Sequence, residues 1–355
     1  MAERQMKITF LYKGEEDLDR ARNWDPEADP MRFPSALGHG FFQLFLAIRE
    51  LYPSVELSKQ TNGSDVYVVM QKLGSYRFRQ QFSLLREMLS RDRMPTIVAI
   101  HADGRNKAST FLVHKNVVPN SFRLKSAYDA FIPMLPQNGL KPREAKTLTR
   151  NLVAYGHSFN FPSHLFDELL VGQLAKAGIN LRRADQNGAQ PDQILDFRDA
   201  LFTLCLRNAD KAHILAYKPP TRLVNAWMAG TIPIIDREPG YFSLATPGVD
   251  CLLVSTDHKK DPQAAKAEIY ELLTGITDTE IERMLATIRE KKKHYSKENI
   301  ARAHLDFFFA PVPGRAQSNF RLKLLFHFFL FPLKRFARYL HNRERKFVRR
   351  IYRQR

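Results

Sequence analysis

Cysteine is scarce in this chain of 355 residues, and its two cysteines, Cys205 and Cys251, lie in apolar runs. Two thiols in such surroundings exclude a disulfide framework and a multi-cysteine zinc site, and they are typical of a reducing compartment. No apolar run reaches the roughly 18 residues that a transmembrane helix needs, and no export-type segment is visible at the start. We therefore expect a cytoplasmic protein.

Several nucleotide-binding and metal-binding motifs are also missing. The sequence contains neither G-x-x-x-x-G-K-[ST] nor G-x-G-x-x-G, so a P-loop nucleotidase or a dinucleotide-dependent dehydrogenase has no fingerprint here. The 11 histidines form no H-x-x-x-H or H-E-x-x-H pair, and the D-x-D at residues 17–19 lies in an early polar loop. We therefore expect neither a metal ion nor a resident cofactor.

Positive charge is concentrated at the C-terminus. The chain has 55 Lys and Arg against 37 Asp and Glu, a formal net charge of +18. Residues 315–355 hold 13 of these bases and one acid, Glu344, which gives this tail +12 and the rest of the chain only +6. The body of the protein is therefore close to neutral in composition.

The basic tail has the pattern of an amphipathic helix. One helical face carries its apolar residues, namely Phe336, Tyr339, Leu340, Phe347 and Ile351. Basic residues occupy most of the remainder, a pattern that favours peripheral attachment to an anionic membrane surface. Because the aromatic residues form one stripe and do not alternate with the bases, we do not expect nucleic acid as the partner. The alternative is a packing helix with a solvated basic face.

Short apolar runs alternate with helical patterns along the rest of the chain. Strand-like runs at residues 7–12, 65–70 and 96–101 predict a mainly parallel sheet. The stretch at residues 133–143 is rich in Pro, Gly and Asn, and the same alternation starts again after it. We predict two doubly wound, Rossmann-like α/β domains, residues 1–140 and 141–314, followed by the tail.

The most informative stretch is residues 217–241, YKPPTRLVNAWMAGTIPIIDREPGY. Two prolines end the preceding element, Thr221 can cap the helix that follows, and the cations Lys218 and Arg222 flank its start. Free N–H groups, the helix dipole and two cations together favour a diphosphate ligand. The alternative is an ordinary capped helix with solvated cations.

This stretch resembles the nucleotide-sugar site in the C-terminal domain of GT-B glycosyltransferases. The resemblance rests on KPPTRLVNAWMAGTIPII, then Glu238, Tyr241 and the run DCLLV. It is particularly similar to a poorly characterised bacterial group with the motif K-P-x-[ST]-[KR]-L-x-N-A-W. Tyr217 and Asn225 stand where the large retaining GT-B family has two glutamates, so the choice between inversion and retention stays open.

The resemblance implies a role in donor binding for several residues. Lys218 and Arg222 would contact the phosphates, and Thr221 would shape the loop. Asn225 would reach the ribose or a phosphate, and Glu238 would lie near the donor sugar or its hydroxyls. The donor is a nucleotide sugar, which acts as a co-substrate.

An inverting transfer needs a general base near the acceptor hydroxyl, and we rank His39 and Asp103 first. His39 lies in SALGHG before the first long helix, where GT-B enzymes place a glycine-rich loop facing the cleft. Gly38 and Gly40 would allow the backbone to approach an acceptor closely. Asp103 follows the strand at residues 96–101, at a carboxyl strand end where such sheets bind ligands.

The histidines His101 and His157 remain open as alternatives for the base, each in a polar segment that follows a strand. His101 and Arg105 flank Asp103, and His157 and Asn160 follow the first strand of the second domain. For each single histidine, an ordinary loop or interface role is the competing interpretation.

The sequence thus predicts a metal-independent glycosyltransferase on the inner face of the cell membrane. It would transfer a sugar from a nucleotide sugar to a saccharide or lipid-linked saccharide in bacterial cell-surface polysaccharide assembly. The alternative is a non-catalytic binding protein on the GT-B scaffold, whose tail recruits a membrane, a protein partner or nucleic acid.

Overall fold

The computed structural model of the chain describes residues 5–12, 14, 16–30, 32–33, 38–70, 84, 86–87, 90, 94–101, 113–144, 148–156, 162–185, 194–208 and 215–312. The basic tail at residues 315–355 lies outside this part. No helix within the described ranges is both long enough and apolar enough to cross a membrane.

The first half of the described chain forms a six-stranded sheet. Its strands are β1 (Ile8–Leu11), β2 (Glu56–Ser58), β3 (Val66–Met70), β4 (Thr96–Ile100), β5 (Lys115–Val118) and β6 (Asp129–Phe131). Their order is β2-β1-β3-β4-β5-β6, and all neighbours pair in parallel. β1, β3 and β4 are apolar runs buried almost throughout, as expected of a parallel sheet covered on both faces.

The second half forms a five-stranded sheet within the described ranges. Its strands are β7 (Leu152–Gly156), β8 (Leu181–Asp185), β9 (Phe202–Leu204), β10 (Ile232–Ile235) and β11 (Leu252–Leu253). The order is β8-β7-β9-β10-β11, and again every pair is parallel. The prediction of two doubly wound α/β units is therefore confirmed. The first unit is built on the sheet β1–β6, and the second unit on the sheet β7–β11.

Helices connect these strands. In the described part they are α1 (Leu18–Arg22), α2 (Gln43–Leu51), α3 (Glu168–Lys176), α4 (Thr221–Ala229), α5 (Pro239–Phe242), α6 (Pro262–Gly275), α7 (Asp278–His294) and α8 (Lys297–Phe309). A π-helical turn at Gly38–Phe42 precedes α2. The starts of α3, α6, α7 and α8 follow directly from sequence, because a side chain of Asp167, Asp261, Thr277 or Ser296 accepts a hydrogen bond from the first turn.

The strand order fixes where each sheet can bind a ligand. In each sheet the second strand in sequence lies on one side of the first, and the third strand lies on the other. In the first sheet, the connections that follow β1 and β3 therefore run in opposite directions across the sheet. In the second sheet, the connections that follow β7 and β9 do the same. A crevice opens at the carboxyl ends of such a strand pair, and ligands of doubly wound sheets bind there.

The last described helix, α8, belongs to the first core although it follows the second sheet in sequence. Ile300, Ala301 and Phe308 of α8 are buried among the side chains of the first sheet and α2. The ring of Phe308 lies 6.4 Å from that of Phe10 in an edge-to-face arrangement. The chain thus returns to its first unit, and this crossing ties the two units together.

Lys115 anchors the end of this crossing helix to the first sheet. It is 2% exposed in β5, and burial lowers its pKa to about 8. Its Nζ donates to the carbonyl oxygens of Phe307 (2.6 Å), Phe308 (3.2 Å) and Ala310 at the end of α8. The last carbonyls of a helix have no partners within the helix, and the dipole makes them favourable neighbours of a cation.

We expect Lys115→Met to destabilise the protein, because methionine fills the space but leaves these buried carbonyls without a donor. The free energy of unfolding should fall by about 2–3 kcal/mol in urea titrations. The control is Lys125→Met, which removes an exposed lysine from the same domain. This substitution should change the free energy of unfolding by less than about 0.5 kcal/mol. Equal losses in the two variants would mean that Lys115 does not anchor α8.

Candidate functional site

The candidate site lies at the carboxyl edge of the second sheet, where α4 begins. The N-cap of α4 is Pro220, so the prediction that Thr221 caps this helix is wrong by one position. Proline has no N–H and its ring restricts φ, here to −76°, which leads the chain into a helix without a side-chain cap. The Thr221 hydroxyl instead lies 3.9 Å from the sulfur of Met134 in the first unit.

The first turn of α4 has features that favour an anion. No described side chain caps it, and it contains no acidic residue. Its first backbone N–H groups have no partners within the helix, and the dipole places partial positive charge there. A phosphate group suits such a helix start.

The opposite side of α4 is held by a buried aromatic residue of the N-A-W motif. The indole Nε1 of Trp227 donates to the carbonyl of Asp250 (3.1 Å), and Nζ of Lys291 on α7 lies 4.1 Å from the ring centroid. The same ammonium group pairs with the Asp250 carboxylate at 2.5 Å. These contacts fix α4 against α7 and the turn before β11, which leaves its N-terminus as the end that can meet a ligand.

Arg222 is placed at the switch point between β7 and β9. Its Nη1 donates to the carbonyl of Leu206, and its guanidinium carbon lies 6.0 Å from the Tyr155 ring centroid. Gly156, at the end of β7, makes room for it, because a Cβ there would stand only 2.4 Å from Nη2. The predicted phosphate-binding cation is thus 9% exposed and fixed by its surroundings.

Glu238 and Arg207 form a buried ion pair beside the start of α4. Nη1 of Arg207 lies 3.1 Å from Oε1 of Glu238, and the side chains are 7% and 0% exposed. Nη2 of Arg207 donates to the carbonyl of Pro219 (2.9 Å), and its guanidinium carbon lies 5.4 Å from the Tyr241 ring centroid. One guanidinium group therefore joins the end of β9, the turn before α4 and the turn after β10.

The carboxylate of Glu238 has unused capacity to accept hydrogen bonds. Within the described ranges neither of its oxygens has a hydrogen-bond donor, because the contact with Arg207 has ion-pair distance without hydrogen-bond geometry. Leaving a buried acceptor unsatisfied is costly, and such groups normally find a partner. The hydroxyl groups of a bound sugar or ribose would supply donors of the required kind.

Burial dominates the electrostatics of this pair. It raises the pKa of Glu238 to about 7, opposed by the positive charge of Arg207 and reinforced by the carboxylate of Asp236. Burial alone would lower the pKa of Arg207, but Glu238 holds it above its ordinary value. Arg207 is therefore a permanent cation, whereas the charge of Glu238 depends on its neighbours.

Lys218 lies in the turn before α4, which a loop of the first sheet contacts. The side-chain amide of Asn120, after β5, donates to the carbonyls of Ala216 and Lys218, both at 3.0 Å. The guanidinium carbon of Arg123 lies 5.1 Å from the Tyr217 ring centroid. Lys218 itself is half-buried, and its charge lowers the pKa of Glu238. The structure thus brings Lys218, Arg222 and Glu238 together where the two units meet.

Asn225 takes part in the contact between the units. Its Nδ2 donates to Oε1 of Gln137 (2.5 Å) and to the Tyr155 hydroxyl (3.2 Å), and its Oδ1 accepts from the backbone N–H of Gln137 (3.1 Å). The side chain is fully buried. Its amide is therefore occupied by protein partners, and its predicted contact with ribose or phosphate stays a prediction.

Two stacked histidines, His164 and His258, are connected to Glu238 through Asp236. His164 Nε2 and His258 Nδ1 are 3.0 Å apart, and His258 Nε2 lies 3.6 Å from Oδ2 of Asp236. Asp236 in turn accepts a hydrogen bond from the backbone N–H of Glu238 at 3.0 Å. Burial and the charge of His258 lower the pKa of His164. This chain of contacts supports the turn that carries Glu238.

The first unit contributes less to the described site. Gly38 and Gly40 lie in the turn before α2, where a Cβ on Gly38 would collide with the Phe33 carbonyl oxygen at 1.8 Å. Gly38 is thus required by packing, and its predicted contact with an acceptor stays a prediction. The side chain of His39 lies outside the described part, as do Asp103, its neighbour Arg105, the alternative base His157 and the nearby Asn160.

His101, the remaining alternative for the base, is described and buried. Its Nε2 lies 2.9 Å from the side-chain oxygen of Asn116, whose amide donates to Asp129 at 2.9 Å. It is therefore part of a polar network at the carboxyl end of β4.

Arg207 is the site residue that the sequence interpretation missed. The signal was present, because a charged residue that directly follows a buried strand lies at the carboxyl edge where ligands bind. The run ALFTLCL at residues 200–206 is apolar, as a buried strand is, and Arg207 directly follows it.

Two solved glycosyltransferases share this fold over nearly their whole length. A glycosyltransferase from Rickettsia africae ESF-5 superposes with a TM-score of 0.52 at 9% identity, covering 86% of this chain and 98% of its own. AviGT4, a glycosyltransferase involved in avilamycin A biosynthesis, superposes with a TM-score of 0.50 at 12% identity, covering 88% and 99%. No family model and no curated protein matches the sequence. The chain thus has the GT-B fold, as predicted.

We expect Gly156→Ala to displace the Arg222 guanidinium, because the new Cβ needs the space of Nη2 and φ of Gly156 is +136°. The free energy of unfolding should fall by about 2–3 kcal/mol. Gly178→Ala is the matched control, with φ +75° and open space around the Cβ, and should cost only about 1 kcal/mol. Urea titration measures both values, and equal losses would show that Arg222 is not held tightly against Gly156.

Proposed function

We propose that this protein is a metal-independent glycosyltransferase that uses a nucleotide-sugar donor. The observation that carries the proposal is the buried Glu238 carboxylate, whose oxygens have no hydrogen-bond donor within the described ranges, beside the cations Lys218 and Arg222 at the switch point of a GT-B sheet. A diphosphate needs cations and N–H groups, and a sugar or ribose needs hydrogen-bond acceptors. A nucleotide sugar requires both, and this edge of the sheet offers both.

The donor diphosphate binds at the start of α4. The N–H groups of the first turn and the cations Lys218 and Arg222 face the charge that develops on the leaving nucleoside diphosphate. Fixed positive charge placed where charge develops lowers the barrier of the transfer step. Thr221 shapes the turn, Asn225 holds the helix against Gln137 of the first unit, and Glu238 accepts hydroxyl groups of the donor.

The acceptor enters from the first unit. A base there removes the proton of the attacking hydroxyl as the bond to the sugar carbon forms. His39 and Asp103 are our candidates, with Gly38 and Gly40 in the acceptor loop. The product keeps or inverts the anomeric configuration according to whether the acceptor attacks from the donor's own face or from the opposite one.

The acceptor is a saccharide or a lipid-linked saccharide, of the kind used in bacterial cell-surface polysaccharide assembly. This part of the proposal rests on residues 315–355, whose basic and apolar sequence favours an anionic membrane surface. A protein held on the inner face of the cell membrane meets lipid-linked acceptors there. The competing class is a binding protein without activity, and sugar-nucleotide hydrolysis in the absence of acceptor distinguishes the two.

We expect Lys218→Ala to weaken binding of a nucleoside diphosphate by about tenfold or more, because one charge-assisted contact with a phosphate is lost. A thermal-shift panel of nucleoside diphosphates and nucleotide sugars selects the ligand, and calorimetry measures its affinity. The matched control is Lys176→Ala on α3, an exposed lysine away from the site, which should bind as the wild type does. An unchanged affinity in Lys218→Ala would remove this residue from the donor site.

We expect deletion of residues 315–355 to release the protein from vesicles containing phosphatidylglycerol while leaving its thermal unfolding unchanged. Each base near an anionic leaflet contributes about 1 kcal/mol, and the tail carries 13. The finer control replaces Arg345, Lys346, Arg349 and Arg350 by Gln, which keeps the apolar stripe and should weaken binding to anionic vesicles. Sedimentation of the truncated protein with these vesicles would contradict the anchor.

A further inference from the structure

We propose that Arg207 is a positioning residue of the donor site, which keeps the Glu238 carboxylate ionised and fixes the turn that carries Lys218. This inference rests on the proposed function, since it assigns Glu238 to the hydroxyl groups of the donor. Arg207 touches no ligand in this proposal. It acts through the acid beside it.

The geometry gives Arg207 three contacts that belong to three segments of the site. Its guanidinium pairs with Glu238 at 3.1 Å, donates to the Pro219 carbonyl at 2.9 Å and lies 5.4 Å from the Tyr241 ring centroid. Pro219 directly follows Lys218. The planar fork of an arginine can hold two such partners at once, which a single ammonium group cannot do in the same geometry.

Arg207 is also the principal positive charge that faces Glu238. Among the described residues, the charged and titratable groups around this carboxylate are Cys205 and Arg207 after β9, Asp236 after β10, Arg222 on α4, Lys218 before α4 and Tyr241 on α5. Among the described residues only Arg207 lies at ion-pair distance. Asp236 acts in the opposite sense, so the charge state of Glu238 depends mainly on one guanidinium.

Ionisation determines what Glu238 can bind. A carboxylate accepts hydrogen bonds at both oxygens, whereas a protonated carboxyl group uses one oxygen as a donor. The buried carboxylate would take up a proton if Arg207 were absent, because burial favours the neutral form. Donor hydroxyl groups would then lose an acceptor, and a higher pH would restore it.

The pH dependence of donor binding tests this role. Calorimetry measures the affinity of the nucleotide sugar selected by the thermal-shift panel, from about pH 6 to about pH 9. A nucleotide sugar is the suitable probe because its diphosphate is esterified at both ends and does not titrate in this range. We expect the wild-type affinity to fall as the pH drops below about 7, the pKa of Glu238.

In Arg207→Met the pKa of Glu238 should rise by one unit or more, so that binding at about pH 7 becomes roughly fivefold weaker or worse. The affinity should recover towards the wild-type value at about pH 9. Glu238→Gln should bind weakly with no acid limb. Arg198→Met, which removes an exposed arginine paired with Asp196, is the control and should leave the profile unchanged.

Arg207→Lys keeps the proposal testable if the methionine variant does not fold. Lysine retains the charge but loses the fork, so we expect the acid limb to stay in place while the affinity falls at every pH. A uniform loss of affinity in Arg207→Met, without recovery at high pH, would overturn the proposed control of ionisation. So would a wild-type profile without an acid limb. If the wild type bound no nucleotide sugar at any pH, the proposed function itself would fail.

Discussion

The cost of burying charge governs the carboxyl edge of the second sheet. Three charged side chains, Arg207, Arg222 and Glu238, are almost completely withdrawn from water there. A buried ion is tolerated only when partners replace the water that it loses. The Arg222 guanidinium donates a hydrogen bond to the Leu206 carbonyl. The Arg207 guanidinium pairs with the Glu238 carboxylate and donates to the Pro219 carbonyl. Because these partners come from separate loops, the pairing of the charges also fixes the loops relative to one another.

The same constraint connects the two units. Lys115 of β5 is buried because the carbonyls at the end of α8 replace its water, and α8 follows the entire second unit in sequence. Asn120 and Gln137 of the first unit supply hydrogen bonds to the turn before α4 and to Asn225. The candidate site is therefore assembled from both units.

Much of the fold could be predicted from sequence, because continuous apolar runs such as those of β1, β3, β4, β7 and β10 have few alternatives to a buried parallel strand. β2, β5 and β6 were not predicted. Their sequences, ELS, KNVV and DAF, are short or partly polar. Lys115 would ordinarily count against a buried strand, and only the carbonyls almost two hundred positions later explain it. Long-range pairing of this kind leaves no local pattern.

The candidate site was predicted in part. Its residues differ in how many hydrogen bonds the rest of the protein makes to them. Asn225 uses both its amide hydrogens and its oxygen on Gln137 and Tyr155, so it positions α4. Arg222 donates to the Leu206 carbonyl through Nη1, and its Nη2 lies beside Gly156. Glu238 differs, because its oxygens have no donor within the described ranges. A motif read along the chain cannot separate these cases, because the partners of Asn225, which are Gln137 of the first unit and Tyr155 of β7, both lie outside it. A ligand held here must therefore bring donors to Glu238 and negative charge to the start of α4, and a diphosphate linked to a hydroxylated ring has both.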